Sequence, residues 1–455
     1  MGIGCREMKC EYFSLAATNF MAQATRDPLS FVAKTAMRLT GRPVRVKNYH
    51  GSRFATRDWD LPIAASQSGS FNGNVLHVLT NSLPHSSGGY AIRSHNILVA
   101  QKMMGLSASA ITRLGYPISV GKIPDKAVEC IGGVTYKRSL PRFFPYRLRK
   151  QVEVQARCIA AEARRSNASV LHTTTPWTNA LATSLAAEWL CIPWVYEVRG
   201  EPESTWASQS QSKNPESSEF YRASRMKELE AMNAAAAVVT LSQTSAESLR
   251  QRGVAGQIVV APNAIDPAWA GKKISTAEAR RILGLDDRRY AGAISSIVGY
   301  EGFEDLIVAL HQLPEDVAVL LVGDGTALAG LRELVRKENL EARVVFAGKQ
   351  PQDSISLWYS ALDVFVIPRK DLPVTRTVTP IKTLQAQAFG IPIVASDLPA
   401  LREVTRGAAL YVAPENPQEL ADAVSRAFDM RQMLTAKLPT WTEISQIYLE
   451  LYQRL

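Results

Sequence analysis

Short apolar runs alternate with helical stretches along most of this chain. The run NVLHVLT begins at Asn74 and the run VAVLLV begins at Val317, and turn-forming residues separate such runs from segments with helical spacing. Short strands that alternate with helices predict βαβ units and therefore a parallel sheet. The series restarts after residues 261–273, where proline and asparagine interrupt regular structure. Two successive series predict two doubly wound α/β domains.

The same pattern divides the chain into four parts. Residues 1–70 lack periodicity, which predicts an N-terminal extension that is partly disordered. Two Rossmann-like domains follow, over residues 71–268 and 269–430. In residues 431–455 apolar positions recur at helical spacing, which predicts a terminal helix that packs on a neighbouring element.

Composition and charge narrow the class of partner. The 455 residues are 46% hydrophobic and 21% charged, which is ordinary for a soluble globular protein. The formal net charge of +10 predicts an anionic partner such as a nucleotide or a phospholipid surface. Nucleic acid is not expected as a partner, because the basic residues are spread along the chain without a nucleic-acid-binding motif.

The cysteine content and the N-terminal sequence predict the cellular compartment of the protein. The five cysteines are odd in number and scattered, which favours a reducing compartment over a disulfide framework. Cys5 and Cys10 have no second pair nearby, so no metal site is predicted. Glu7 and Glu11 interrupt the N-terminus where a secretory signal would need an apolar core. We therefore expect a cytoplasmic protein, with peripheral contact at the inner face of the membrane as a further option.

In open α/β sheets, ligands bind outside the carboxyl ends of the strands, so loops that follow strands are the first candidates. Gly88 and Gly89 precede a predicted helix, where a phosphate could approach free amides; a tight turn explains them equally well. His95 in that helix is either a packing or a catalytic histidine. Glu197 and Arg199 follow another strand and form either a functional cluster or an ion-pair network.

Two cations flank a predicted helix start in the second domain. Arg369 follows a strand directly, and Lys382 begins a helix behind Pro380. A cation is unfavourable at that end of the helix dipole unless an anion is bound. The pair therefore predicts a diphosphate clamp, with solvated surface cations as the alternative. Gly323, in VGDG after a strand, is a weaker phosphate-loop candidate that a simple turn would also explain.

Several stretches of the chain resemble retaining glycosyltransferases of the large GT4 group. They occur in the family's order over roughly residues 73 to 455, and together they are specific although each alone is not. The likeness is greatest to exopolysaccharide-type members that carry a VTPLK-x-LEAMA segment. The stretches are SGGYAIRSH, YEVRGEPESTW, VVTLSQTSAESLRQRGV, VVAPNAID, GYEGFEDLIVAL, LLVGDG, VVFAGKQPQDSISLWYSALDVFVIPR, VTPIKTLQAQAFGIPIVAS and LREV.

This resemblance implies a fold, an activity and a separate binding role for each domain. The implied fold is GT-B, in which two Rossmann-like doubly wound domains face a central cleft. The implied activity moves a sugar from a nucleotide-sugar donor to a saccharide or lipid-linked acceptor with retained configuration, in cell-surface polysaccharide or glycolipid synthesis. No metal or other cofactor is needed. Residues 71–268 would bind the acceptor, residues 269–430 the donor, and the helix within residues 431–455 would return to the first domain.

Site residues then follow by position. The resemblance implies that Glu197 and Arg199 lie beside the transferred sugar or the acceptor, and His95 joins them as a candidate catalytic residue. Cations and amides aimed at the departing diphosphate would stabilise its negative charge. The donor-binding candidates are Gly88, Gly89, Gly323, Arg369, Thr379, Lys382 and Gln385.

The chain also departs from the family pattern. The family's paired glutamates fall on Thr377 and Gln385, and its GR…KG cations fall on Ser295 or Ser296 and Glu301. Because of these departures, a second hypothesis is that the chain is a non-catalytic relative that acts as a partner subunit. A third reading, a nucleotide-sugar 2-epimerase, shares the same two-domain architecture.

A basic and aromatic segment in the first domain is a further candidate surface. Residues 141–151, PRFFPYRLRKQ, mix arginines with phenylalanines and a tyrosine. This composition predicts contact with an anionic membrane or a lipid-linked acceptor. A helix-start loop with long arginine stems is the alternative.

Overall fold

The chain folds into two compact units. In this computed structural model the described residues are 15, 60–210, 212–266, 269, 273–430 and 437–455. The first unit comprises the described residues up to Thr240 together with Leu249–Val259 and Ser445–Leu455, and the second comprises Leu241–Ser248 and the described part of Val260–Ile444. Cys5, Cys10 and most of the predicted N-terminal extension lie outside the described residues.

An eight-stranded sheet forms the middle of the first unit. The strand order is β3-β4-β2-β1-β5-β6-β7-β8; the strands from β2 to β7 in that order pair in parallel, and β3 and β4 form an antiparallel pair at one edge. The strands are β1 (Asn74–Leu79), β2 (Ser107–Thr112), β3 (Val128–Ile131), β4 (Val134–Lys137), β5 (Val170–Thr174), β6 (Trp194–Val198), β7 (Ala237–Thr240) and β8 (Ile258–Val260).

Helices connect these parallel strands, as the alternating pattern of the sequence requires. They are α1 (Gly89–Met103), α2 (Leu148–Arg165), α3 (Trp177–Leu190), α4 (Pro202–Ser208), α5 (Glu219–Ala234) and α6 (Gln243–Gln251). All residues of β5 and β6 are buried, so the centre of the sheet is covered on both faces.

A six-stranded parallel sheet forms the second unit. Its strand order is β11-β10-β9-β12-β13-β14, so the order reverses between β9 and β12, as in a doubly wound Rossmann sheet. All six residues of β10 are buried, which explains why its sequence is apolar throughout. The strands are β9 (Arg289–Ile294), β10 (Val317–Val322), β11 (Val344–Gly348), β12 (Val364–Ile367), β13 (Ile393–Ser396) and β14 (Leu410–Val412).

The remaining helices complete the chain in order. They are α7 (Thr276–Leu283), α8 (Phe303–Ala309), α9 (Leu328–Lys337), α10 (Ile355–Ala361), α11 (Pro373–Thr377), α12 (Ile381–Ala388), α13 (Pro399–Thr405), α14 (Pro417–Phe428) and α15 (Trp441–Tyr452). The predicted pair of doubly wound α/β units is confirmed.

Candidate functional site

The reversal of strand order in the second unit brings two loops together. One loop follows β9 and contains Ser295; the other follows β12 and contains Arg369. Ligands of open α/β sheets bind at such a switch point. The loop after β9 ends in one turn of 3-10 helix, Gly299–Glu301, just before α8. These two loops and the start of α12 form the candidate site.

Gly302 determines how closely the two loops pack. Its φ is +70°, and a Cβ at this position would lie 1.9 Å from the carbonyl oxygen of Pro368. Glycine adopts this conformation and permits this approach without strain. The amide of Lys370 also donates a hydrogen bond to the carbonyl of Tyr300 at 3.1 Å. The turn before Gly302 is therefore packed directly against the loop after β12.

A buried carboxylate joins two buried cations here. Glu301, Arg369 and Lys382 are 3%, 5% and 9% exposed. Arg369 donates from Nη2 to Glu301 Oε1 at 3.1 Å and from Nε to Oε2 at 3.3 Å, and Lys382 Nζ donates to Oε2 at 2.5 Å. Lys382 also donates to the Ser295 hydroxyl at 2.5 Å, and Arg369 to the Val378 carbonyl at 2.8 Å. We call Glu301, Arg369 and Lys382 the charge cluster.

Burial and pairing set the ionisation of the charge cluster. Burial by itself would raise the pKa of Glu301, but the charges and hydrogen bonds of Arg369 and Lys382 outweigh it and lower that pKa to about 2. Burial, supported by the charge of Arg369, lowers the pKa of Lys382 to about 8, although Glu301 opposes this shift. The carboxylate is therefore ionised at neutral pH, and the ammonium loses its proton more readily than an exposed lysine does.

The structure gives Lys382 a counter-ion from the chain itself. Lys382 is the second residue of α12, and the N-cap residue of this helix, Pro380, makes no side-chain cap hydrogen bond. The sequence predicted a diphosphate beside this lysine, whereas the anion that contacts it is the carboxylate of Glu301. In the sequence, Glu301 stands out only as a departure from the family pattern. The signal that could have identified it was the reversal of charge at a position where the family carries a cation.

Two further donor-binding candidates lie next to the charge cluster in sequence. Thr379 is buried just before α12, and its hydroxyl has no hydrogen-bond partner among the described residues; its carbonyl accepts from Asn263 at 3.1 Å. Gln385 lies three residues after Lys382 in α12 and is half-buried. Its Oε1 accepts a hydrogen bond from the Tyr359 hydroxyl at 3.1 Å. One turn of α12 therefore carries both Lys382, a predicted phosphate ligand, and Gln385, where the family has a glutamate.

The backbone conformation of Gly323 lets this residue lie against the loop after β9, which contains Ser295. It follows β10 with a φ of +144°, and a Cβ there would lie 1.8 Å from the carbonyl oxygen of Ser295. The glycine therefore allows the loops after β10 and β9 to touch. The structure thus places Gly323 against Ser295, whose hydroxyl contacts Lys382.

The predicted catalytic pair of the first unit lies in a buried ionic network. Glu197, in β6, has no exposed surface. Its Oε1 accepts from Arg93 Nε at 2.8 Å and from the Tyr448 hydroxyl at 2.9 Å. Its Oε2 accepts from Arg199 Nη2 at 2.6 Å and lies 3.2 Å from His172 Nε2. Glu197 thus joins α1, β5 and α15 to the end of β6.

This geometry favours the ion-pair network over a substrate-contacting role. Arg199 is 3% exposed and also donates to the carbonyl of Tyr90 at 3.0 Å and the hydroxyl of Ser94 at 2.5 Å. Burial would raise the pKa of Glu197, but Arg199 and Arg93 lower it well below its usual value. In this conformation neither side chain of the predicted pair has the exposed surface that contact with a sugar requires. Removing one partner would leave a buried charge uncompensated.

Two buried histidines stack beside this network. The ring centroids of His77 and His172 are 4.8 Å apart, and the rings are inclined by 17°. His172 Nδ1 lies 2.6 Å from the Tyr452 hydroxyl, and His77 Nε2 lies 2.9 Å from Gln101 Oε1. Burial lowers the pKa of both histidines. Polar groups of the first unit therefore hold α15 through its tyrosines, which the sequence had marked only as apolar positions.

The remaining candidates lie in and before α1. Gly88 is the N-cap residue of α1 and Gly89 begins the helix, and a Cβ at Gly88 would meet no atom of the described residues within 4 Å. His95 is half-buried; its Nδ1 lies 2.8 Å from the Tyr136 hydroxyl, and its ring lies against Gly132. Burial lowers the pKa of His95. These contacts are those of a packing histidine.

The basic and aromatic segment is exposed at its aromatic residues. Phe143 is 60% exposed and Tyr146 is 49% exposed, and the arginines Arg142, Arg147 and Arg149 are exposed as well. The guanidinium of Arg142 lies 5.6 Å from the centre of the Phe143 ring. We call these five residues the basic-aromatic patch.

Two kinds of feature are absent from the described residues. No three His, Cys, Asp or Glu side chains among them are grouped so that they could hold a metal ion. None of the helices in the same part of the chain combines the length and the apolarity needed to cross a bilayer.

Both units match glycosyltransferase families. Residues 288–430 match the family described as Glycosyl transferases group 1, and residues 108–269 match Glycosyltransferase Family 4. The lipopolysaccharide core biosynthesis mannosyltransferase LpsB of Rhizobium meliloti is 31% identical over 172 residues, which are 35% of this chain and 47% of that protein. The chain spans about half the length of curated relatives that it matches.

Solved structures share the fold. Sucrose-phosphate synthase from Thermosynechococcus elongatus superposes with a TM-score of 0.66 at 21% identity, over 84% of this chain and 98% of that one. Anabaena HepE in complex with UDP-glucose superposes with a TM-score of 0.64 at 18% identity, over 84% of this chain and 100% of that one. The likeness confirms the predicted GT-B fold class.

Proposed function

We propose that this chain, which carries both domains of a group 1 and family 4 glycosyltransferase, transfers a sugar from a nucleotide-sugar donor to an acceptor. The observation that carries the proposal is the position of Arg369 and Lys382, buried together at the switch point of the second sheet. A diphosphate bound there would contact the guanidinium of Arg369, the ammonium of Lys382 and the backbone amides at the start of α12. HepE, with the same fold, was solved with UDP-glucose, which supports this class of donor.

The two cations would act on the leaving group. When the bond between the sugar and the diphosphate breaks, negative charge develops on the phosphate oxygens. Fixed cations aimed at these oxygens lower the barrier, because they are already oriented when the charge appears. Lys382, whose pKa is lowered to about 8, could also pass a proton to the departing phosphate.

The finer parts of the proposal concern stereochemistry and acceptor. The resemblance to the exopolysaccharide-type GT4 subgroup supports retention of anomeric configuration. LpsB acts in lipopolysaccharide core biosynthesis by its name, which supports a saccharide or lipid-linked acceptor in cell-surface polysaccharide synthesis. The basic-aromatic patch supports peripheral contact with an anionic membrane, where such an acceptor would be presented.

The experiment is a ligand screen followed by a turnover assay on the full chain. Thermal unfolding is measured with UDP, GDP and ADP; a ligand at a hundred times its Kd raises the free energy of unfolding by about 2.7 kcal/mol. The matching nucleotide sugars are then incubated with saccharide and lipid-linked acceptors, and the linkage formed is analysed by NMR. We expect one nucleotide to stabilise the chain and the product to retain its configuration. No shift with any of the three nucleotides contradicts the proposal.

A specific observation favours one alternative, a non-catalytic partner subunit. Glu301 neutralises part of the predicted phosphate site, and Gln385 stands where the family has a glutamate. Under this alternative the unmodified chain has no turnover with any donor and acceptor, and the double substitution Glu301→Lys and Gln385→Glu is needed to create it. Turnover by the unmodified chain excludes the alternative.

A further inference from the structure

One buried carboxylate neutralises half of the positive charge at the candidate phosphate site. Glu301 accepts hydrogen bonds from both Arg369 and Lys382, and all three residues are buried. With two cations and one anion, the charge cluster has a net charge of +1. A site with only the two cations would have a net charge of +2.

The chain holds this carboxylate firmly in place. Glu301 lies in the one-turn 3-10 helix before Gly302, whose positive φ and close approach to the Pro368 carbonyl fix the turn against the loop of Arg369. The carboxylate is ionised at neutral pH because both partners are cations. A phosphate that enters this place therefore meets a fixed negative charge as well as two positive ones.

The carboxylate should affect the affinity for a ligand with one phosphate differently from the affinity for a ligand with two phosphates. The first phosphate group, which as a terminal monoester carries about −1.5 to −2 charges at pH 7, already exceeds the net +1 of the cluster. A second phosphate group brings further negative charge close to Glu301, where low-dielectric surroundings strengthen like-charge repulsion. The usual gain in affinity from a second phosphate should therefore be small in this chain.

We infer that Glu301 is a specificity-determining residue of the donor site, a built-in counter-ion that weakens the site's preference for two phosphates over one. This inference rests on the proposed function, because it assumes that nucleotides bind at the charge cluster. The inference also concerns the leaving group of the donor. Sugars linked through a single phosphate should compete well with nucleoside diphosphate sugars for binding at this site.

The experiment compares UDP with UMP, and the corresponding guanosine and adenosine pairs, by isothermal titration calorimetry. Glu301→Gln removes the charge and keeps the size of the side chain. We expect this substitution to tighten diphosphate binding at least tenfold and monophosphate binding threefold or less. Glu304→Gln is the matched control, because it removes a carboxylate three residues later that pairs with Lys370 instead; it should change neither affinity more than twofold.

A charge-restoring variant and the unmodified chain complete the test. Glu301→Gln combined with Lys382→Met returns the net charge to +1 and should lose the gain in diphosphate affinity. The unmodified chain carries no substitution that could impair folding, so it provides an independent test. It should bind the nucleoside diphosphate less than tenfold more tightly than the monophosphate. A preference of tenfold or more in the unmodified chain overturns the inference, as does an equal gain for both ligands in Glu301→Gln.

The two proposals fail in different ways. If neither the unmodified chain nor any variant binds a nucleotide, the proposed function fails and the inference fails with it. If the unmodified chain binds nucleotides and Glu301→Gln leaves the ratio of the two affinities unchanged, the inference alone fails. If only Glu301→Gln binds diphosphate, the proposed function of the unmodified chain is contradicted, while Glu301 is confirmed as the determinant and the non-catalytic alternative gains support.

Discussion

Gln385, which stands where the family has a glutamate, makes a polar contact with Tyr359. The amide oxygen of Gln385 accepts from the Tyr359 hydroxyl at 3.1 Å, and a glutamate could keep this bond. An ionised carboxylate would make stronger hydrogen bonds to hydroxyl groups than an amide does. We therefore expect Gln385→Glu to leave the melting temperature within about 2 °C and to tighten nucleotide binding about three- to tenfold, since a charge-assisted bond adds about 1 kcal/mol. Weaker binding of the nucleotide by a folded Gln385→Glu would contradict the assignment.

Lys382 should contribute more to ligand binding than to fold stability. Its substitution by alanine removes one of two cations and leaves Glu301 paired with Arg369 at 3.1 Å. We expect Lys382→Ala to weaken nucleoside diphosphate binding at least tenfold, because charge-assisted hydrogen bonds contribute about 1.5–3 kcal/mol. The control is Lys337→Ala, whose side chain is 77% exposed near the end of α9. Equal thermal shifts in the two variants would place the nucleotide elsewhere.

The residues of the site differ in how far the sequence could reveal them. Arg369 and Lys382 could be predicted together, because one follows a strand and the other begins a helix. Their shared partner could not, since Glu301 lies 68 and 81 positions away along the chain and meets them only through the packing of two loops. The burial of Glu197 depends in the same way on Tyr448, which is 251 positions distant.

At the scale of elements, the turn between β9 and α8 depends on a glycine. Gly302→Ala would place a Cβ 1.9 Å from a carbonyl oxygen and impose a φ of +70° on alanine. We expect a loss of more than about 2 kcal/mol in the free energy of unfolding, seen as a clear fall in melting temperature. Gly330→Ala in α9 is the matched control, because nothing lies within 4 Å of its Cβ. That variant should be neutral or stabilised by up to about 1 kcal/mol; an equal loss in both variants would refute the explanation.

The stacked histidines should make the first unit sensitive to acid. Burial lowers the pKa of His77 and His172, so the unfolded chain takes up protons near pH 6.5 while the folded chain does not. Stability is therefore fully present above about pH 6.5 and is lost as pH falls towards the lowered pKa values, at up to about 1.4 kcal/mol per pH unit for each histidine. We expect urea denaturation at pH 7.5 and pH 5 to show this loss.

His77→Phe is the control for this pH dependence. Phenylalanine can keep the stack on His172 but carries no titrating nitrogen, so the slope of stability against pH should become shallower. Burial raises the pKa of Glu228 to about 7, which favours the folded state as pH falls and so acts with the opposite sign. This contribution is common to both proteins and cancels in their difference. An unchanged slope in His77→Phe would show that the histidine is not the source.

The elements themselves were largely predictable. Alternating apolar runs indicated the parallel strands, because strands buried on both faces must be apolar along their length. The antiparallel pair β3 and β4 was not predicted, since its half-exposed strands carry a weak alternating pattern around Gly132 and Gly133.

At the scale of the whole molecule, the basic-aromatic patch predicts binding to anionic vesicles. We expect the full chain to sediment with vesicles that contain phosphatidylglycerol and to remain in solution with pure phosphatidylcholine. Phe143→Ser with Tyr146→Ser should reduce this binding about tenfold or more, because burying a side chain of this size contributes about 1.5–3 kcal/mol. Met226→Ser with Ile282→Ser is the control, since these side chains are 71% and 53% exposed elsewhere. Equal loss in both double variants would exclude a specific role for the patch.

The most direct test of the central claim is a crystal structure of the full chain with the nucleoside diphosphate that stabilises it most. We predict phosphate oxygens within about 2.7–3.2 Å of Lys382 Nζ and the Arg369 guanidinium, at the start of α12. A nucleotide bound elsewhere, with Arg369 and Lys382 paired to Glu301 as in the free chain, would contradict the account.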